Sequence, residues 1–167
     1  MPALRGEPKK HRSGCPVSIG LETIGDRWSL LIVRDMMVRG YRTFKQFQHS
    51  GEGIATNVLA DRLQKLQNAG IITSQVDEHD ARRVNYRLTE KGIGLAPMLL
   101  ELLIWGTRHE LTGFSSTWID QVEQTREQFL AEVRKRWREN DPRPLIPPPP
   151  LSISNPVKRR SNRRGRK

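Results

Sequence analysis

Apolar positions change their spacing several times along the chain, and each change marks an element. In "CPVSIGLETI", residues 15–24, Val17, Leu21 and Ile24 fall on one side of a helix. Pro16 suits its first position, where a missing N–H costs nothing. "DRWSLLIVRDMMVRG" repeats Trp28, Leu31, Ile32 and Met36 at helical spacing, with Asp26 placed to cap the helix and Gly40 to end it. A short helix over 43–49 follows, with Phe44 and Phe47 three apart, and "GEG" at 51–53 breaks the chain. Residues 55–69 are the most regular stretch. Leu59, Leu63 and Leu66 form a narrow stripe, and Gly70 supplies the stop. The opposite face carries Asn57, Asp61 and Gln64, flanked by Lys65.

From residue 71 the apolar period drops to two. "IITSQV" and "RVNYRLT" alternate as two strands of a hairpin over 71–89, with 77–82 as the turn. Thr89 is placed to cap a further helix reaching about residue 111 and carrying Leu99, Leu102, Leu103 and Trp105; Pro97 kinks or delimits its start. A last helix is expected over 115–139, with Trp118, Val122, Phe129, Val133 and Trp137 on one flank. From "NDPRPLIPPPPL" onward proline dominates and bare charge follows, a composition that cannot pack a core and predicts a disordered tail.

Helix, helix, short helix, long helix, hairpin, helix is the order of a winged helix-turn-helix, a mainly α fold with a small β-hairpin wing. The pair would be 43–49 and 55–69, and the wing 71–89. Four regions result: a flexible arm at 1–14, the winged helix-turn-helix at 15–111, a helical extension at 112–140, and a Pro-rich, basic tail at 141–167. In such a fold the second helix of the pair enters the DNA major groove, while the wing lies on the flanking backbone or minor groove.

Charge agrees with that reading and localises it. Lys plus Arg number 29 against 18 acids, a net +11 with a sequence pI near 10.6. That balance favours a polyanionic partner. The stretch "KRRSNRRGRK" at 158–167 holds seven of those bases, leaving 22 against the same 18 acids elsewhere. The body is only mildly basic, so a specific site must come from placement. The tail by itself would supply salt-sensitive attraction to any nucleic acid. The chain's single cysteine, Cys15, excludes an intramolecular disulfide framework and fits a reducing cytoplasm. The first residues lack an apolar stretch of signal-peptide length, and the run "APMLLELLIWG" is broken by Glu101 and too short to span a bilayer.

Several motifs then agree in order with one family. "CPVSIGLETIGDRWSLLIVRDMM" resembles the opening of the HxlR-type transcriptional regulators, relatives of the MarR group. "LADRLQKLQNAGII" is similar to their recognition-helix stretch, "VNYRLTEKG" to their second wing strand, and "LLELLIWG" to the end of their domain. The resemblance runs from about Cys15 to Gly106 and leaves 114–167 uncovered. It implies a duplex-DNA-binding regulator, more often a repressor than an activator, that works in the cytoplasm. It also implies a homodimer formed by the first and last helices of the shared domain. A dimer would read a pseudo-palindromic operator with half-sites one helical turn apart. The chain departs from the family at Ala55, which cannot cap the recognition helix, so Thr56 is expected to shift its start; at Asn85, where a glutamate is usual; and at Thr43-Phe44, with Arg42 displaced by one.

The candidate DNA contacts follow. On the recognition helix, Thr56, Asn57, Asp61, Gln64 and Lys65 offer the polar groups; Asn and Gln can bond an adenine edge with two hydrogen bonds, and Lys reaches phosphate or guanine. Arg42, Lys45 and Gln46 stand at the short helix, and Arg82 and Arg83 at the wing tip. A narrow minor groove attracts arginine. The alternative for the wing pair is a surface cluster with Asp77, Glu78 or Asp80, worth only about 0–1 kcal/mol. The alternative for the helix is an ordinary solvated face. Cys15 has two readings as well: a redox or electrophile sensor whose thiolate is stabilised at a helix cap, or a small buried residue at a subunit interface. With one cysteine per chain, sensing would need an intersubunit or mixed disulfide, or alkylation. A small-molecule or oxidant effector is the partner this leaves open beside DNA. No cofactor or metal is expected, since His11, His49, His79 and His109 are scattered without ligand spacing, and no P-loop or G-x-S-x-G motif points to an enzyme. A non-specific nucleic-acid binder driven by the tail is the rival from another class.

Overall fold

The structure is a computed structural model and describes residues 11–146. The expected arm at 1–14 therefore lies outside the described residues over 1–10, and the basic tail lies outside them from 147. Ten elements follow in order: α1 (Pro16–Ile24), α2 (Arg27–Val38), α3 (Phe44–Gln48), α4 (Thr56–Asn68), β1 (Ile72–Val76), β2 (Val84–Leu88), α5 (Glu90–Ile93), α6 (Ala96–His109), α7 (Ser116–Gln124) and α8 (Arg126–Glu139). This is a winged helix-turn-helix with a helical extension.

Local chemistry starts and stops these elements. Asp26 caps α2, accepting from the Ser29 amide at 3.0 Å and its hydroxyl at 2.7 Å. Thr43 and Gln46 form a reciprocal capping box that starts α3 in spite of its five-residue length. α4 opens on Ala55, whose side chain makes no capping bond. The expected shift of its start by Thr56 does not occur; Thr56 is the first helical residue, and its hydroxyl accepts from Gln48 Nε2 at 2.9 Å instead.

The wing is a two-stranded antiparallel sheet with Ile72 opposite Leu88 and Val76 opposite Val84. Its base is tied to the helices twice. The Tyr86 amide donates to the Arg42 carbonyl at 2.7 Å, and Thr43 forms an isolated antiparallel bridge to Asn85, so the segment before α3 is pinned along β2. Thr89 donates its hydroxyl to the Gly70 carbonyl at 2.6 Å while accepting from the Gly92 amide at 3.1 Å. A Cβ on Gly92 would meet the Ile71 carbonyl oxygen at 2.2 Å. The spacing Thr-x-x-Gly in "LTEKG" thus serves a cap and a close backbone approach.

The main core gathers Val33, Met36, Phe47, Leu59, Leu63, Leu66, Ile71, Ile72 and Ile93 between α2, α3, α4 and the wing base. A smaller cluster joins Leu100 and Ile104 of α6 to Ile119 and Val122 of α7. Three expectations for the C-terminal half are corrected. The helix expected from Thr89 to about 111 is two helices, α5 and α6, with the second starting at Ala96 beside Pro97. The helix expected over 115–139 breaks at Thr125, whose amide and hydroxyl both donate to the Gln121 carbonyl at 3.0 and 2.8 Å. That break lets α7 pack on α6 while Val133 of α8 enters the main core. Finally, residues 141–146, expected as the start of the tail, pack against the end of α2. The Leu145 amide donates to the Val38 carbonyl at 2.7 Å, and Ile146 is buried. Composition misled here because a proline-containing segment without regular structure can still be held by a few backbone bonds.

Candidate nucleic-acid interface

α4 presents two flanks and an outward ridge. At about 100° per residue, Thr56 and Gln67 share one flank, Arg62 and Lys65 the other, and Asn57, Asp61, Gln64 and Asn68 lie between them. The first flank is docked: Thr56 takes the bond from Gln48 of α3, and Gln67 Nε2 donates to Ser74 Oγ of β1 at 2.7 Å. α3 and the wing therefore brace the same side of α4 and leave the ridge to solvent. Along that ridge Asn57 and Gln64 are exposed, and Gln64 Nε2 donates to Asn68 Oδ1 at 3.0 Å. This bond orients the amide without withdrawing it from the surface.

Asp61 and Lys65 stand differently. Asp61 is paired with its neighbour Arg62, and Lys65 Nζ lies 3.8 Å from Asp26 Oδ2. Arg62 Nε also donates to Asp26 Oδ1 at 2.9 Å, which ties α4 to the cap of α2. Burial works against the Asp26 carboxylate, but the Ser29 and Arg62 donors outweigh it and hold its pKa below the ordinary range. Lys65 and Asp61 border a shallow groove against α1 with His11 and Glu22, which Gln64 and Asn68 of the ridge also line.

The three residues expected at the short helix separate as well. Lys45 is exposed and borders an open groove that also takes in Arg82 and Arg83, so the start of α3 and the wing tip form one basic concavity. Gln46 is committed to the capping box, its Oε1 accepting from the Arg42 and Thr43 amides at 2.8 and 2.9 Å. Arg42 turns inward. Its Nη1 donates to the Met36 and Tyr41 carbonyls at 2.8 and 2.9 Å, and its buried Nε has no partner among the described residues. Burial, and secondarily the neighbouring Arg87, depress its pKa. An arginine next to a helix start reads from sequence as an anion contact, yet the missing carbonyl partners at the end of α2 claim it here.

At the wing tip, Arg82 is 95% exposed in its side chain and Arg83 is 56% exposed. Their guanidinium groups lie 3.6 Å from Asp80 and 3.8 Å from Asp77. Asp77 and Asp80 also serve the turn: Asp77 accepts from the His79 amide and Asn85 Nδ2, and Asp80 accepts from the Arg82 amide. The His79 amide, the Asn85 side chain and then Arg83 hold the Asp77 carboxyl below its usual pKa. The acids thus shape the loop, and the ion pairs are loose, exposed and of little energetic weight.

Cys15 is exposed at the N-cap of α1, and its thiol pKa is lowered by the Ser18 and Val17 backbone amides that point at it. On the same helix Val17 and Leu21 are exposed, as are Met98, Leu102 and Trp105 on α6. Two supporting features escaped the sequence reading. Asp35, buried on the apolar side of α2, accepts from Arg34 and faces Arg39, which donates to the Ser50 carbonyl and pins the loop between α3 and α4. An acid interrupting an apolar stripe was the available signal. The other is α8, whose contacts with the wing base have no local signature. Among the described residues no group of His, Cys, Asp or Glu could hold a metal, and no helix is long and apolar enough to cross a membrane.

Residues 23–112 match the family model of HxlR-like helix-turn-helix proteins. The chain is 31% identical over 96 residues to the HTH-type transcriptional regulator YybR of Bacillus subtilis, covering 58% of this chain and 76% of YybR. Among solved structures it is similar to PA1607, described provisionally as a transcription factor, with 39% identity, TM-score 0.57, and coverage of 63% of this chain and 72% of that one. It is similar also to the redox regulator HypR in its oxidised form, with 31% identity, TM-score 0.53, and coverage of 58% and 99%.

Proposed function

The chain belongs to the HxlR-like helix-turn-helix family of transcriptional regulators, and from that premise we propose that it is a homodimeric repressor that reads a pseudo-palindromic operator. α4 enters the major groove, and Asn57 and Gln64 make the direct base contacts, with Thr56 near the groove edge. Lys45, Lys65, Arg82 and Arg83 contact phosphates or the adjacent minor groove. Arg42 and Gln46 belong to the scaffold that holds α3, and Asp61 restrains Arg62. The observation that carries this reading is the docking of α3 and the wing on one flank of α4, which leaves the Asn57–Gln64 ridge outward beside a basic concavity. The exposed apolar residues of α1 and α6 supply the dimer surface.

The test is selection of bound duplexes from a random pool, followed by footprinting. Enriched two-fold sites whose preference relaxes in Asn57→Ala and Gln64→Ala, by about 1–3 kcal/mol per lost base contact, support the reading. Deleting residues 152–167 should leave that preference in place. Binding that ignores sequence and disappears with the deletion would make the tail the binder and overturn it.

A second reading has its own observation. The exposed Cys15, with its lowered thiol pKa and its place on α1 beside Val17, suits a thiol switch at the dimer surface. The similarity to the redox regulator HypR adds to it.

A further inference from the structure

The helical extension, which lies beyond the matched family region, roofs a cavity of about 250 Å³ between α2, α6 and α8. Leu99 and Leu103 of α6 form one wall, and Phe114, Phe129, Val133 and Ile146 line it from the extension, leaving it partly open to solvent. Two guanidinium groups, Arg34 and Arg39, border it but are already engaged. Arg34 directs Nε and Nη2 to Asp35 at 2.9 and 2.7 Å and Nη2 to Glu52 at 3.0 Å. Arg39 Nη1 donates to the Ser50 carbonyl at 3.1 Å and lies as close to Asp35. Among the described residues the cavity therefore offers apolar contact with no unspent charge, a lining that disfavours an ion.

We propose that this cavity is an effector site for a small, neutral, aromatic molecule, and that α8 carries its occupancy to the wing. An apolar cavity of about 150 Å³ is enough to admit benzene, so the space here suits a substituted single ring or a fused pair. The surface proposed for dimerisation is largely separate. Of the strongly exposed apolar side chains only Leu102 borders the cavity, whereas Val17, Leu21, Met98 and Trp105 do not. Phe129 and Val133 face the cavity, and one turn beyond Val133 the Trp137 indole donates to the Leu88 carbonyl at 2.8 Å. Arg87 of β2 donates back to the Trp137 carbonyl at 3.2 Å. One helix thus touches a ligand-sized space and the base of the wing, and a ligand that favours one placement of α8 shifts the wing with it. The effector role rests on the DNA-binding reading; occupancy of the cavity does not.

The experiment titrates toluene and naphthalene into the full chain carrying labelled Ile, Leu and Val methyl groups. Saturable shifts are expected at Leu99, Leu103, Val133 and Ile146, accompanied by amide shifts at Leu88 and Thr89. Leu103→Phe and Leu99→Phe, two independent ways to fill the space, should each abolish the cavity shifts while keeping a folded spectrum. With saturating naphthalene, gel shifts on the selected operator should show a severalfold change in dissociation constant that Leu103→Phe lacks. Shifts confined to Val17 and Leu21, exposed side chains that do not border the cavity, would mean adsorption to the apolar surface and overturn the site. Cavity shifts with Leu88, Thr89 and operator affinity unmoved would overturn the coupling. A protein that takes up naphthalene but selects no operator would leave the cavity standing and sink the DNA-binding reading instead.

Discussion

The Trp137 indole nitrogen donates a 2.8 Å hydrogen bond to the carbonyl oxygen of Leu88, joining the C-terminal extension to the last residue of the wing. The ring is partly buried against the main core, so the bond is sheltered from water. Trp137→Phe keeps an aromatic ring but removes the donor. Loss of a sheltered bond that leaves its acceptor unpaired costs about 1–3 kcal/mol, and urea unfolding should report a loss of that size. Faster hydrogen exchange of the wing amides should accompany it. An unchanged midpoint and unchanged exchange would mean that α8 does not brace the wing.

The wing arginines Arg82 and Arg83 are exposed and held only by pairs at 3.6 and 3.8 Å. Their partners Asp77 and Asp80 are already employed by the turn, so removing the arginines should leave the fold intact. Replacing Arg82 and Arg83 with Ala should weaken operator binding across sequences and reduce the slope of log K against log salt by about 1 per lost phosphate contact. Thermal melting should be unchanged within about 1 kcal/mol, the ceiling for exposed pairs. Equal affinity and slope in the double variant would assign the pair to the acids alone.

Much of this arrangement was legible in the sequence because it is local. The caps at Asp26 and Thr89 and the stripe Leu59–Leu63–Leu66 depend on residues a few positions apart, and the alternation of β2 is just as short-ranged. What was not legible is set by distant partners. Arg42 looks like an anion contact until the Met36 and Tyr41 carbonyls are found beside it. Residues 141–146 look structureless until Val38 offers its carbonyl and Gly40 allows the approach. Gly40 has φ +71°, and a Cβ there would stand 2.0 Å from the Pro142 carbonyl oxygen. The break at Thr125 is a third case, since periodicity continues across it while two packing partners, α6 and the main core, pull the halves apart.

Cys15 should react as an activated thiol. The Ser18 and Val17 amides favour its thiolate, so the folded pKa lies below that of an unstructured cysteine. The rate of alkylation by iodoacetamide, followed against pH, should show its midpoint below that of a short peptide spanning residues 11–20. Diamide should then lower operator affinity in the wild type and leave Cys15→Ser unaffected. Alkylation with the peptide's midpoint, or diamide insensitivity of both proteins, would remove Cys15 from regulation.

Asp26 sets a pH dependence whose direction can be worked out. Its folded pKa is depressed by the Ser29 and Arg62 donors against the opposing effect of burial. The carboxylate therefore contributes stability that is present above its unfolded pKa, about 3.9, and is lost as pH falls through the lower folded value. Asp26→Asn separates charge from capping, because asparagine caps a helix about as well as aspartate. At pH 7 the variant should lose the attraction to Arg62 and Lys65, about 1 kcal/mol for a partly exposed cluster. That difference from wild type should shrink to nothing in acid. Urea midpoints of both proteins from pH 7 down to pH 2 would display it as two curves that converge. Curves that stay parallel would mean that the cap, and not the link between α2 and α4, accounts for what Asp26 contributes.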